Sequence, residues 1–159
     1  MKTKLMLVLI IIVTFFTACS KDDEPSYYPV NPVSNSYTFL DDTIAITDAE
    51  YSSEFGDTYL KFSGENTDNH IYFKFTGRTG VVPVGSFTYR RDQESGYLVD
   101  SNFSIGAVSH PSDQLDFYAT EGSLIVTKEA NGIYKVSFNL LTNVSTAKGT
   151  YSGVILLSN

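Results

Sequence analysis

From about Ser36 onward, apolar and polar residues alternate with a period of two, the pattern of strands that bury one face. Ile71, Phe73 and Phe75 alternate with Tyr72, Lys74 and Thr76. Tyr134, Val136, Phe138 and Leu140 alternate in the same way with Lys135, Ser137 and Asn139. Ile44 and Ile46 stand between Thr43, Ala45 and Thr47, and Leu60 and Phe62 flank Lys61. Val99, Phe103, Ile105 and Ala107 share one face of a longer predicted strand whose one polar interruption is Ser101. No window of useful length carries sustained helical spacing.

Turn residues separate these runs. Asn131-Gly132 lies between Leu124–Lys128 and Ile133–Leu141, and Asn-Gly between alternating runs predicts a tight hairpin. Gly56-Asp57, the 65–69 segment, Gly77–Gly80 and Glu94-Ser95-Gly96 punctuate the earlier runs. The last three strands, near Gly122–Lys128, Ile133–Leu141 and Lys148–Leu157, are expected as a meander. Pro83 stands just ahead of a short strand, where a missing N–H is tolerated, and Gly149 and Gly153 mark a bulge or close backbone approach. About eight or nine strands in roughly 120 residues predict one all-β domain, an antiparallel β-sandwich or a lipocalin-like barrel. The pattern leaves those two open.

The first residues read differently. Met1–Lys4 holds two lysines, Leu5–Phe16 is apolar apart from Thr14, and Thr17-Ala18 is small, the layout of a secretory signal peptide. Such a run is shorter than the roughly 20 residues of a spanning helix. Phe16-Thr17-Ala18-Cys19 then resembles the lipobox of bacterial lipoproteins, with Phe16 where leucine is commonest. The resemblance implies that 1–18 is removed and that Cys19, the only cysteine, carries a diacylglyceryl group and an acylated amino terminus (typically palmitate). Two or three acyl chains anchor stably where one does not. Ser20, Lys21, Asp22, Asp23 and Glu24 resemble the export tag of Bacteroidota-type surface lipoproteins, which implies an outer-membrane, surface-facing location. Residues 19–36, with Pro25, Pro29 and Pro32, read as an extended tether, and 37–159 as the β-domain. The Pro83-x-Gly85-x-Phe87 and Gly149-x-Tyr151-x-Gly153 segments resemble a recurrent pattern in small uncharacterised lipoproteins of this type, which implies a sandwich or lipocalin-like domain and no activity.

Charge narrows the partners. The whole chain carries −7, and the chain from Cys19 onward, with 9 basic and 18 acidic residues, carries −9. That balance argues against nucleic acid, whose binding rests on Lys and Arg contacts to phosphate. The one basic pair, Arg90-Arg91, is followed at once by Asp92 and Glu94.

Candidate chemistry is sparse. His70 and His110 have no metal spacing with another histidine or cysteine, and no zinc or calcium signature is expected. Phosphate-cradling glycine loops and the GxSxG elbow are missing from the sequence, so no cofactor and no catalytic residue is assigned. Acid pairs such as Asp41-Asp42, Glu50 with Glu54, and Asp113 with Asp116 become candidates only once a fold places them. Eleven tyrosines offer a stacking surface instead. Tyr51, Tyr59, Tyr72, Tyr89 and Tyr97 fall near strand ends or on the polar faces of strands, where a ring with a polar tip suits recognition of a sugar or peptide. Tyrosine is also simply a good strand former. Asp42-Thr43-Ile44 resembles the O-glycosylation acceptor of exported proteins in the same bacterial group, which implies a glycan on Thr43.

The expectation from these features is a lipid-anchored, non-catalytic binding or interaction module at the cell surface. Its partner is the membrane through the anchor, and beyond it a glycan, a peptide or an outer-membrane protein. The alternatives are a lipocalin-like carrier of a small apolar ligand, a glycan-acting enzyme and a structural envelope component. An empty apolar interior would favour the carrier.

Overall fold

The computed structural model describes residues 35–66, 68–110 and 113–158, all strand, turn or loop. The domain is all-β. Twelve strands follow in order: β1 (Ser36–Phe39), β2 (Asp42–Ala45), β3 (Asp48–Glu54), β4 (Asp57–Ser63), β5 (His70–Phe75), β6 (Gly85–Tyr89), β7 (Asn102–Phe103), β8 (Ile105–His110), β9 (Asp113–Lys128), β10 (Tyr134–Thr142), β11 (Thr146–Gly153) and β12 (Leu156–Leu157). They form one sheet in the order β12-β3-β4-β5-β8-β9-β10-β11-β1-β2, with β6 and β7 beside the second half of β9.

The sheet curls into a half-barrel because β9 belongs to two layers. Its first half pairs with β8, through Asp116↔Ser109, Phe117↔Val108 and Tyr118↔Ala107. Its second half pairs with β10 on one side and β6 on the other. At the transition, Thr142 and Leu141 of β10 face Ala119 and Glu121, leaving Thr120 as an extra residue on β9. A bulge of this kind bends a strand and lets it turn a corner between layers. Gly122 sits at the bend, where an added Cβ would lie 2.6 Å from Leu140 and 2.9 Å from the Asn139 carbonyl. The opposite side of the core is closed by single-residue handovers. Ile46 N–H donates to Asn35 O (2.7 Å) in one layer, and Thr47 N–H to Ser63 O (2.9 Å) in the other.

Between the layers lies an aromatic core. Phe62 touches Phe73 of its own layer, and Phe138 and Tyr151 of the other, with ring centroids 5.3–6.3 Å apart. Phe73 meets Phe103 edge-on and Phe75 meets Phe87 likewise. Gly149 is required by this packing: a Cβ there would stand 2.5 Å from Tyr37 Cβ and 2.6 Å from the Phe138 ring. His110, buried on β8, reaches Asp42 Oδ2 of β2 at 3.0 Å and ties the two layers at their rim.

Several expectations stand. The alternating runs of β4, β5 and β10 point Leu60, Phe62, Ile71, Phe73, Phe75, Phe138 and Leu140 inward. The β9-β10-β11 meander is present, with Gly132 at φ +82 in its first turn.

Others are corrected. Among the described residues there are twelve strands rather than eight or nine, because two-residue strands such as β7 and β12 carry no period. The sheet is mixed rather than antiparallel, since β12 runs parallel to β3 and β6 to β7. The strand expected from Val99 to Ala107 begins only at Asn102. The buried Asn102 side chain accepts from Leu98 N–H (2.8 Å) and donates to Thr88 O (3.0 Å), closing a turn through 98–102.

Candidate functional site

The lipid-anchor and export residues, Cys19, Ser20, Lys21, Asp22, Asp23 and Glu24, lie outside the described residues. Thr43 is exposed on β2, at one end of the strand order, opposite Thr38 of β1. Its neighbour Asp42 is held by His110.

Of the five tyrosines singled out in the sequence, two come together. Tyr59 and Tyr72 lie on the outer face of the β3-β4-β5-β8 layer, on adjacent strands β4 and β5. Tyr51, although on β3, pairs with inward-facing Leu60 and packs against the core. Tyr89 stands against Phe103 (5.7 Å), its hydroxyl accepting from Arg91 Nε at 3.3 Å. Tyr97 fastens the loop after β6 to the end of β5, donating to Thr76 O (3.2 Å) and accepting from Thr76 N–H (3.1 Å). These three are used by the fold.

The residue that completes the pair is Tyr118 on β9. Register places Lys61, Tyr72, Ala107 and Tyr118 in one cross-strand row, with Ser63, His70, Ser109 and Asp116 in the next. Ala107 faces outward yet has no exposed surface, because the larger side chains on either side close over its methyl group. Tyr72 and Tyr118 flank it on either side. The His70 ring lies nearly parallel to Tyr72 at 6.2 Å, and its Nε2 is 3.7 Å from Asp116. On the other side Lys74 Nζ sits 5.9 Å from the centre of the Tyr59 ring and 2.8 Å from Asp57.

Both lysines on this face are matched to an acid. The hydrogen bond to Asp57 holds the Lys74 ammonium above its ordinary pKa. Burial alone would raise the Asp57 carboxyl, but the bonds from Lys74 and from Gly77 N–H outweigh it and leave the group below its usual range. Lys61 pairs with Glu50 at 3.8 Å. Burial, the neighbouring Tyr118 and nearby Asp116 push the Tyr72 phenol upward, so at neutral pH it is a protonated donor. The face therefore offers ring surface and neutral hydroxyls. Tyr118, 56% exposed, is its most accessible ring. Among the described residues no group of three or more His, Cys, Asp or Glu is placed to hold a metal ion.

These features define an all-β half-barrel with a filled core and a tyrosine-bearing outer face. No protein-family model, curated protein or solved structure matches the chain.

Proposed function

We propose that the protein is a lipid-anchored outer-membrane surface protein whose β-domain is a non-catalytic binding module, engaging its ligand through Tyr59, Tyr72 and Tyr118. The anchoring half rests on Cys19 and the acidic residues after it. The binding half is carried by one observation: an exposed Tyr118 ring in the same cross-strand row as Tyr72, with Tyr59 on the adjoining strand of the same face. Rings with polar tips, held by a sheet, stack on sugar or peptide planes at little entropic cost. A core filled by phenylalanines favours such an external site over the enclosed one a carrier uses.

The test uses the detergent-solubilised full protein on glycan and peptide arrays. The Tyr72→Ala/Tyr118→Ala pair is expected to lose about ten-fold or more of the binding. Undiminished binding by that variant removes the tyrosine face. Mass spectrometry of the same preparation checks the anchor, where an unmodified Cys19 thiol overturns it.

A further inference from the structure

The outer face of the opposite layer carries a different surface. Register aligns Thr88, Ser123, Asn139, Lys148, Thr38 and Thr43 in a single row across β6, β9, β10, β11, β1 and β2. A second row beside it brings Ser137, Thr150 and Ser36 side by side on β10, β11 and β1. Where small hydroxyl side chains meet on adjacent strands the surface is low, while Ile125 and Lys148 stand at its sides. The result is a trough of about 400 Å³. It continues past Ser123 and Asn139 into a hollow of about 490 Å³, and past Ser137 and Thr150 into one of about 270 Å³. The exposed Glu121 lines the first of these hollows, so the positive charge is confined to the central trough.

Charge tells what would lie in it. Lys148 is the one charged side chain lining the central trough, and among the described residues it forms no ion pair. The lysines of the tyrosine face are neutralised by Glu50 and Asp57, and Lys135, at the far end of the trough, by Glu129 at 2.6 Å. In a chain of net charge −7, a lysine left without an acid in a hollow of hydroxyls is a local reversal of sign. The central trough is lined by Ser, Thr and Asn, donors and acceptors repeating at the strand spacing of about 4.8 Å, together with Tyr37, Ile125 and Phe138, whose apolar surface suits the faces of sugar rings.

We infer that this trough binds a carboxylated, hydroxyl-rich polysaccharide, with Lys148 pairing a carboxylate and the hydroxyl rows receiving the sugar hydroxyls. The site is on the layer opposite the tyrosine face and does not depend on it.

The test titrates the full protein with polygalacturonate, a neutral dextran and poly-glutamate at physiological salt. Polygalacturonate is expected to bind, and dextran and poly-glutamate to bind at least ten-fold more weakly. Lys148→Gln is expected to lose about ten-fold, the scale of a lost charge-assisted hydrogen bond. Ser137→Tyr, an exposed strand position that accepts an aromatic residue, fills the trough and is expected to abolish binding. Leu98→Ser, an exposed loop position outside both faces, is expected to bind polygalacturonate like the parent. The inference is overturned if polygalacturonate does not bind, if poly-glutamate or dextran binds as tightly, or if Lys148→Gln, with unchanged circular dichroism, binds like the parent.

Discussion

The two outer faces of this half-barrel are built on the same strand geometry and differ in almost everything else. One carries tyrosines, a stacked histidine and lysines each matched to an acid. The other carries rows of serine, threonine and asparagine around one unmatched lysine. Large rings on the first close over Ala107 and leave a raised platform. Small hydroxyls on the second leave a depression. Side-chain size alone, on similar backbone, decides whether a sheet face projects or recedes, and charge pairing decides what each is suited to touch.

The strongest way to break the comparison is to ask whether the two faces share one folding unit. Phe62 has no exposed surface and contacts aromatic rings of both layers. Phe62→Ala is expected to cost about 3–5 kcal/mol through the cavity it leaves. That is a large part of the total of about 5–15 kcal/mol typical of a folded domain. Urea unfolding followed by far-UV circular dichroism and by tyrosine fluorescence is expected to show one coincident transition at a lower midpoint. Two separate transitions mean that the layers, and with them the faces, stand independently.

A finer cut leaves the core alone and alters only the platform. Tyr72→Phe keeps the ring and its packing on His70 but removes the hydroxyl on the side of Tyr118. A loss of about 1 kcal/mol in stability is expected, the usual net worth of one hydrogen bond. Ligand binding at the platform is expected to weaken a few-fold while polygalacturonate titration stays unchanged. A parallel change in both titrations ties the faces together.

Much of the fold was legible because most strands separate polarity cleanly between their two sides. In β5 and β10 every other residue is buried, which the spacing of Phe73, Phe75 and Phe138 states outright. The long strand β9 was only half legible. Phe117 and Ala119 turn inward at odd positions, whereas Leu124 and Val126 do so at even ones, because the extra residue Thr120 changes the phase. Exposed Leu115 blurs the pattern further. That phase change hid Tyr118, though tyrosine beside Phe117 on a strand was the available signal. Tyr59 and Tyr72 could be placed on an outward face from alternation alone, but their being neighbours follows from the β4–β5 register. The hydroxyl rows were illegible for the same reason. They join residues as far apart as Thr38 and Lys148, and local sequence does not encode which strands lie side by side.

The smallest expected effect concerns pH, and it bears on why the platform's lysines are matched at all. Asp57 sits below its ordinary carboxyl pKa in the folded state, held there by Lys74 and by Gly77 N–H against the opposing effect of burial. A carboxyl depressed in this way adds stability above its unfolded pKa and loses it as pH falls through the folded value. Lys74 is raised by its bond to Asp57, so its contribution is complete below the unfolded lysine pKa and lost as pH rises through the folded one. Both contributions are present at neutral pH. Asp57→Asn is expected to lower neutral stability by about 1 kcal/mol, as for a partly covered pair at the surface, and to flatten the fall in stability on acidification. Urea midpoints of parent and variant should therefore approach one another toward acid pH. Midpoints that stay equally far apart from neutral to acid pH mean that Asp57 holds the Gly77 turn by shape rather than charge.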